Sequence, residues 1–271
     1  KNGLKITYNT NKFLTGTPAI GNLDDDPYLE TVVSGYSSSN KLFVINHDGS
    51  DVDGFPLALN AKTKAGVALS DFDGNGLDDI VLGTDNNEVY LIYDNASIAP
   101  GFPVPVGDKI QTSPSVLDIN GDKVIFVGSG EDSGQGQDNK FYAINANGTM
   151  RFIVEISKDI MTSPSFLGHN GKQYIFFGAN DSLIYAIDTD GIALSGWPIK
   201  VNGKIIGSVV FADLDSDGVS EILAATDSNE IIALYLDGSN YPHFPISNYD
   251  FPFSGSPMIT DLDNDGDLEI L

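Results

Sequence analysis

Cysteine is absent from all 271 residues, which excludes disulfide bracing and thiol chemistry. Arginine is almost absent too. Arg151 is the only one, so no bidentate guanidinium clamp for phosphate or carboxylate can be assembled. Histidine occurs only at His47, His169 and His243, each at a turn of its own segment and none beside another. Neither a Gly-x-Ser-x-Gly elbow nor a Gly-rich phosphate loop appears in context. No apolar run reaches membrane-spanning length, the start of the chain carries no secretory signal pattern, and no segment keeps a helical period over three turns. Basic residues number 14 against 38 acidic ones, for a formal net charge of -24. Such a surface disfavours nucleic acid, anionic membranes and polyanionic glycans.

What the chain has in abundance is acid, and the acid is organised. Asp71-Phe72-Asp73-Gly74-Asn75-Gly76-Leu77-Asp78-Asp79 is one nine-residue loop. Asp213 to Glu221 and Asp261 to Glu269 are two more. Oxygen side chains fall at loop positions 1, 3, 5 and 9, with Gly at 6. A tight turn with that spacing aims several oxygens at one point, which is what a hard cation such as calcium requires. The expected ligands are Asp71, Asp73, Asn75 and Asp79 with the Leu77 carbonyl; Asp213, Asp215, Asp217 and Glu221 with the Val219 carbonyl; and Asp261, Asp263, Asp265 and Glu269 with the carbonyl of Asp267. A fourth site is expected to use Asn22, Asp24, Asp26, Tyr28 and Glu30. Pro27 stands there in place of Gly and cannot take a positive φ, so that loop must differ in geometry. The competing reading of each loop is a solvated acidic turn held by Asx hydrogen bonds.

Two degenerate copies, Asp118 onward and Leu167 onward, complete a series starting at 22, 71, 118, 167, 213 and 261. The first has Phe126 at position 9 and the second has lost its acids, so neither is expected to hold metal. Every unit has the same plan. A short strand enters the loop, a mostly apolar strand leaves it, a polar turn leads to an alternating third strand, and an Asp-Gly or Asn-Gly turn leads to a short fourth. Four antiparallel strands in fewer than 50 residues, repeated, are the pattern of a β-propeller blade. The fold expected is therefore all-β, a propeller of four-stranded antiparallel blades. Most blades end in an aromatic-Pro pair, at Phe55-Pro56, Phe102-Pro103, Trp197-Pro198 and Phe244-Pro245. A repeated aromatic suits packing between blades better than ligand stacking.

These units resemble FG-GAP repeats, the building blocks of integrin α-chain propellers and of many secreted bacterial proteins. The resemblance runs from about Thr15 to Leu271 and is most specific in the acidic loop followed by an Ile-Leu or Ile-Val strand. The aromatic-Pro ending is closer to bacterial surface members. The resemblance implies a propeller with calcium in its blade loops and a role in recognition or adhesion.

The expected blades span about 15–60, 64–106, 110–156, 160–201, 205–248 and a composite of 253–271 with 1–9, all within one domain. Six blades are expected, with seven as the alternative. Asn2 to Tyr8 parallels Asn147 to Ile153 and reads as a last strand for the composite blade. A third strand for that blade is missing, which suggests a piece of a longer chain. The function expected is that of a secreted or cell-surface calcium-binding module for recognition, adhesion or scaffolding, with structural calcium and a protein or neutral glycan as partner. No catalysis is expected. The alternative is the propeller of a secreted carbohydrate-active enzyme, a lyase or hydrolase, or a carbohydrate-binding module with Trp197 and the tyrosines as stacking platforms. The irregular loops at Gly35–Asn40 and Ser129–Asn139 are where a private binding function would be grafted.

Overall fold

A computed structural model of the chain describes residues 6–10, 13–36, 41–59, 61–130, 138–247 and 250–271. Among these there is no helix. The first sheet holds β1 (Ala19–Gly21), β2 (Glu30–Ser34), β3 (Lys41–Ile45) and β4 (Leu57–Ala58). The second holds β5 (Ala68–Ser70), β6 (Asp79–Gly83), β7 (Glu88–Ile92) and β8 (Val104–Pro105). The third holds β9 (Ser115–Ile119), β10 (Asp122–Gly128), β11 (Lys140–Asn145) and β12 (Met150–Glu155). The fourth holds β13 (Ser165–His169), β14 (Lys172–Gly178), β15 (Leu183–Asp188) and β16 (Ile199–Lys200). The fifth has β17 (Val210–Ala212), β18 (Glu221–Ala225) and β19 (Ile231–Leu234), and the sixth β20 (Ile259–Thr260) and β21 (Glu269–Ile270). Neighbours in sequence are neighbours in each sheet, and all pair antiparallel.

The second strand of a sheet is mostly apolar past its first residues because both of its faces are covered. β6 and β18 are buried at every residue. Side chains alternate along a strand. Ile80 and Leu82 therefore pack into the core shared with the first sheet, while Val81 packs into the core shared with the third. Two further cores join the third sheet to the fourth and the fourth to the fifth. At the end of the second strand a glycine makes room for the next unit. A Cβ at Gly83, Gly128 or Gly178 would overlap Ile110, Ile160 or Ile205, each of which is fully buried.

The entering segments of six units line one opening of about 290 Å³, with Thr17, Gly66, Ser113, Ser163, Ser208 and Ser256 at equivalent places. Each unit ties to the next there. The Gly66 N–H donates to Ser113 Oγ at 3.0 Å, Ser115 Oγ to the Pro164 carbonyl at 2.7 Å, Ser165 Oγ to that of Val209 at 2.6 Å, and the Ser208 N–H to Ser256 Oγ at 2.8 Å.

The blade-end aromatics are packing residues. Phe55 and Trp197 are buried, and the Trp197 indole donates to the Leu236 carbonyl of the following unit at 2.9 Å. This removes Trp197 as a stacking platform for a sugar. Of the expected N-terminal strand, Asn2–Lys5 lies outside the described residues, and residues 6–10 form no strand. They lie on the first unit instead. Ile6 covers Gly49, the Tyr8 ring meets that of Phe43 edge-on at 6.0 Å, and the Tyr8 hydroxyl donates to Asp51. Residues 37–40 and 131–137, the centres of the two irregular loops, also lie outside the described residues.

Candidate metal centre

Each acidic loop is wound on its own carboxylates. In the second unit Asp71 accepts from the N–H groups of Gly74 and Gly76 at 2.7 and 3.0 Å, Asp73 from Asn75 at 3.1 Å, and the Asn75 amide oxygen from Leu77 at 2.7 Å. Asp213 accepts in the same way from Asp217 and Gly218, and Asp261 from Asp265 and Gly266. The turn needs two left-handed residues. One is the expected glycine at position 6, at Gly76, Gly218 and Gly266; the other is position 4, at Gly74, Ser216 and Asn264. Sequence reasoning found only the first, because Ser216 carries no glycine signature.

The position-nine carboxylate reaches back to the start of the loop. Glu30, Asp79, Glu221 and Glu269 each accept the N–H of position 2, from Leu23, Phe72, Leu214 and Leu262, all at 2.7 Å. Glu30, Asp79 and Glu221 are fully buried. Among the described residues four groups result in which one oxygen from each member lies within 4.8 Å of the others: Asp24, Asp26 and Glu30; Asp71, Asp73 and Asp79; Asp213, Asp215 and Glu221; Asp261, Asp263 and Asp265. Glu269, only partly buried, stands outside the last group, and Asp217 outside the third. Asn22 is occupied through its backbone, which exchanges hydrogen bonds with Asp78 of the next unit at 2.7 and 3.1 Å. The N–H groups of Leu77, Val219, Asp267 and Tyr28 each bond the side chain two residues earlier. No left-handed residue occurs between Asn22 and Glu30, so the Pro27 loop differs in geometry from the other three.

The electrostatics of these groups fit a cation. Burial pushes the Asp79 carboxyl up to about 6, and the charges of Asp73 and Asp94 push the same way against donated N–H bonds from Phe72 and Asp94. Burial also raises Glu30, with Asp24 and Asp26 adding to it, and raises Glu221, with Asp215, Asp217 and Asp213 adding. Two carboxylate charges at this separation repel by roughly 3 kcal/mol at an effective dielectric of about 20. One oxygen of Glu30 is buried with no hydrogen-bond partner at all. An all-oxygen donor set with an orphaned buried carboxylate oxygen suits a hard divalent ion.

Some residues of the site were not foreseen. Asp94, just past β7, donates its N–H to Asp79 at 3.1 Å and accepts from the Asn75 amide at 3.0 Å. His47 stacks on Tyr28 at 3.8 Å with Nδ1 3.9 Å from Asp26, so it is not a remote turn residue. Both come from the turn after a third strand, which the fold lays beside the loop of its own unit. The third and fourth units replace the loop by two-residue hairpins, Asn120-Gly121 and Asn170-Gly171, with positive φ at both positions. Between the loop of the second unit and the first of these hairpins lies a cleft of about 720 Å³ lined by Asp71, Asp73, Asp118, Asp122, Lys123 and Asn147 among others.

No family model matches this sequence, and no curated protein does. Solved structures do match. The Vibrio cholerae biofilm matrix protein Bap1 superposes with a TM-score of 0.71 at 17% identity over 91% of this chain. The fold is propeller-like. The chain spans 42% of the length of Bap1, under half. BBS1N, solved in complex with ARL6DN, matches 90% of this chain and 70% of its own with a TM-score of 0.58 at 14% identity. BamB from Moraxella catarrhalis matches 93% of this chain and 81% of its own with a TM-score of 0.54, also at 14% identity. The sheets described above are thus blades, and the four carboxylate groups sit in the loops between first and second blade strands. No helix among the described residues is long and apolar enough to cross a membrane.

Proposed function

We propose that this chain is a calcium-bearing propeller of the FG-GAP kind, with six blades, acting as a recognition, adhesion or scaffold module outside the cell or at its surface. The observation that carries the metal reading is the buried position-nine carboxylate. Three such groups are held fully buried beside two further acids each, and Glu30 keeps an oxygen with no partner. Calcium in these loops neutralises the repulsion and fixes the turn between two strands. Its part is structural, and no catalytic step is assigned to it. Likeness in fold to a biofilm matrix protein supports an extracellular adhesive or scaffolding role. The partner is a protein or a neutral glycan, since the net charge of -24 opposes polyanions.

A thermal melt with millimolar calcium and again with excess chelator tests the reading. Calcium at ten to a hundred times its dissociation constant adds roughly 1.4–2.7 kcal/mol per site. The expected result is a midpoint that drops with chelator and returns with calcium but not with magnesium, which dehydrates reluctantly. An unchanged midpoint would leave the loops as Asx-bonded turns and remove the calcium assignment.

A further inference from the structure

The acidic loop of the first blade differs from the other three in the donors around it. Each of its carboxylates gives one oxygen to a backbone N–H. Asp24 Oδ1 accepts from Asp26 at 2.9 Å, Asp26 Oδ1 from Tyr28 at 2.7 Å, and Glu30 Oε2 from Leu23 at 2.7 Å. These bonds set the direction of each acid, as outer partners do for metal ligands. Glu30 is fully buried, and its Oε1 has no hydrogen-bond partner. Its carboxylate nevertheless stands within 4.8 Å of those of Asp24 and Asp26. Asp26 Oδ2 faces His47, with Nδ1 at 3.9 Å. The imidazole is itself held, stacked on Tyr28 with ring centroids 3.8 Å apart and 27° between the planes.

His47 reaches the loop from a place that recurs along the repeat. Asn46, Tyr93, Asn145, Asp188 and Tyr235 each donate their N–H to the carbonyl four residues on, closing the turn after the third strand. The next residue in these turns is His47, Asp94, Ala146, Thr189 and Leu236 in order. Only the first offers a nitrogen donor. Asp94 brings a further acid to the second-blade loop, where it is bonded to Asn75, and Leu236 brings no side-chain donor to the fifth. The first loop also has Pro27 where the others have a left-handed glycine. One loop of the four therefore combines a different turn with a different donor.

We propose that Asp24, Asp26, Glu30 and His47 form a zinc site, separate in kind from the calcium loops. Three carboxylates and one imidazole make four donors from a single blade, the number that a tetrahedral zinc ion takes. A mixed oxygen and nitrogen set suits zinc, whereas calcium is served by about six to eight oxygens. Donors on a tetrahedral zinc ion stand roughly 3.4 Å apart. The 3.9 Å between His47 and Asp26 closes to that by small rotations, since their side chains are 44% and 40% exposed. Buried Glu30 forms the floor of the site, and the exposed pair forms its mouth. The assignment replaces calcium at this loop alone and does not depend on calcium in the loops at Asp71, Asp213 and Asp261.

Calorimetric titration of zinc chloride into the full chain, with millimolar calcium present throughout, tests the assignment. A single saturable zinc site is expected, with the same affinity when calcium is left out. The two titrations keep this result apart from the calcium reading, which stands or falls on the chelator melt. His47→Ala and Asp24→Asn should each weaken zinc roughly tenfold or more, whereas His243→Ala should not change it. In the unmutated chain, zinc should shift the imidazole nuclear magnetic resonances of His47 and leave those of His169 and His243 in place. Absence of saturable binding, equal affinity in the His47→Ala chain, unmoved His47 resonances, or displacement of zinc by millimolar calcium would overturn the proposal. His47 would then be a partner of Tyr28 and Asp26 and no ligand.

Discussion

Asp79 concentrates the chemistry of its loop in one side chain. It is buried, it accepts N–H groups from Phe72 and Asp94, and its carboxyl is pushed from an ordinary 3.8 up to about 6. Between those two values the folded chain holds more protons at this group than the unfolded chain does. The contribution of Asp79 to metal-free stability therefore falls as pH rises from about 4 to about 6. Calcium reverses the sign, because it binds the ionised form. Asp79→Asn should flatten that part of the pH dependence in chelator and remove one ion from the calcium stoichiometry, with a loss of about 1.4–2.7 kcal/mol of calcium-dependent stability. Calorimetric titration and paired melts at pH 4.5 and 7 measure both; a variant that still binds the full complement of calcium would remove Asp79 from the ligand set.

Blade packing turns on pairs of elements rather than on single strands. Gly128 ends β10 so that Ile160 of the next blade can sit against bare backbone. Gly128→Ala should destabilise by about 1–3 kcal/mol through overpacking. Ile160→Ala alone should cost about 2–5 kcal/mol as a cavity. The double variant should be less destabilised than the sum, and additive effects in a double-mutant cycle would show that the two positions do not meet. The elements themselves were legible in the sequence, since a two-residue period, turn dipeptides and a repeat of nearly constant length all pointed one way. The loops were legible for the same reason, because their donors lie at fixed spacing within nine residues. Asp94, His47 and Asp78 were not, since they reach the loops by packing of turns on neighbouring hairpins or blades, and nothing in their local sequence marks that approach. The shift from loop to hairpin in the third blade was readable only as a defect, at Phe126; its cause is the left-handed pair Asn120-Gly121, which lets β9 and β10 run on uninterrupted.

Across the molecule, each of the four cores joins only successive blades. Such an arrangement behaves as a linear array whose stability is a sum of blade and nearest-neighbour terms. The middle junction is the most aromatic: Phe141 stacks on Phe177 at 4.1 Å, and Phe177 on Tyr185 at 5.0 Å. The outer faces of the first and sixth blades, by contrast, expose Ile20, Met258, Leu262 and Leu271. Native-state hydrogen exchange should accordingly show the highest protection in β10, β11, β14 and β15 and the lowest in β20 and β21. Uniform protection across all blades would mean that the array opens only as a whole.

The indole of Trp197 is the sole one in the chain, and it is fixed at the junction of the fourth and fifth blades by its bond to Leu236. Its emission therefore reports a single seam, whereas backbone ellipticity averages over every blade. The protein carries its own optical gauge of cooperativity: where the two signals part company during unfolding, the seam has come undone at a different moment from the rest.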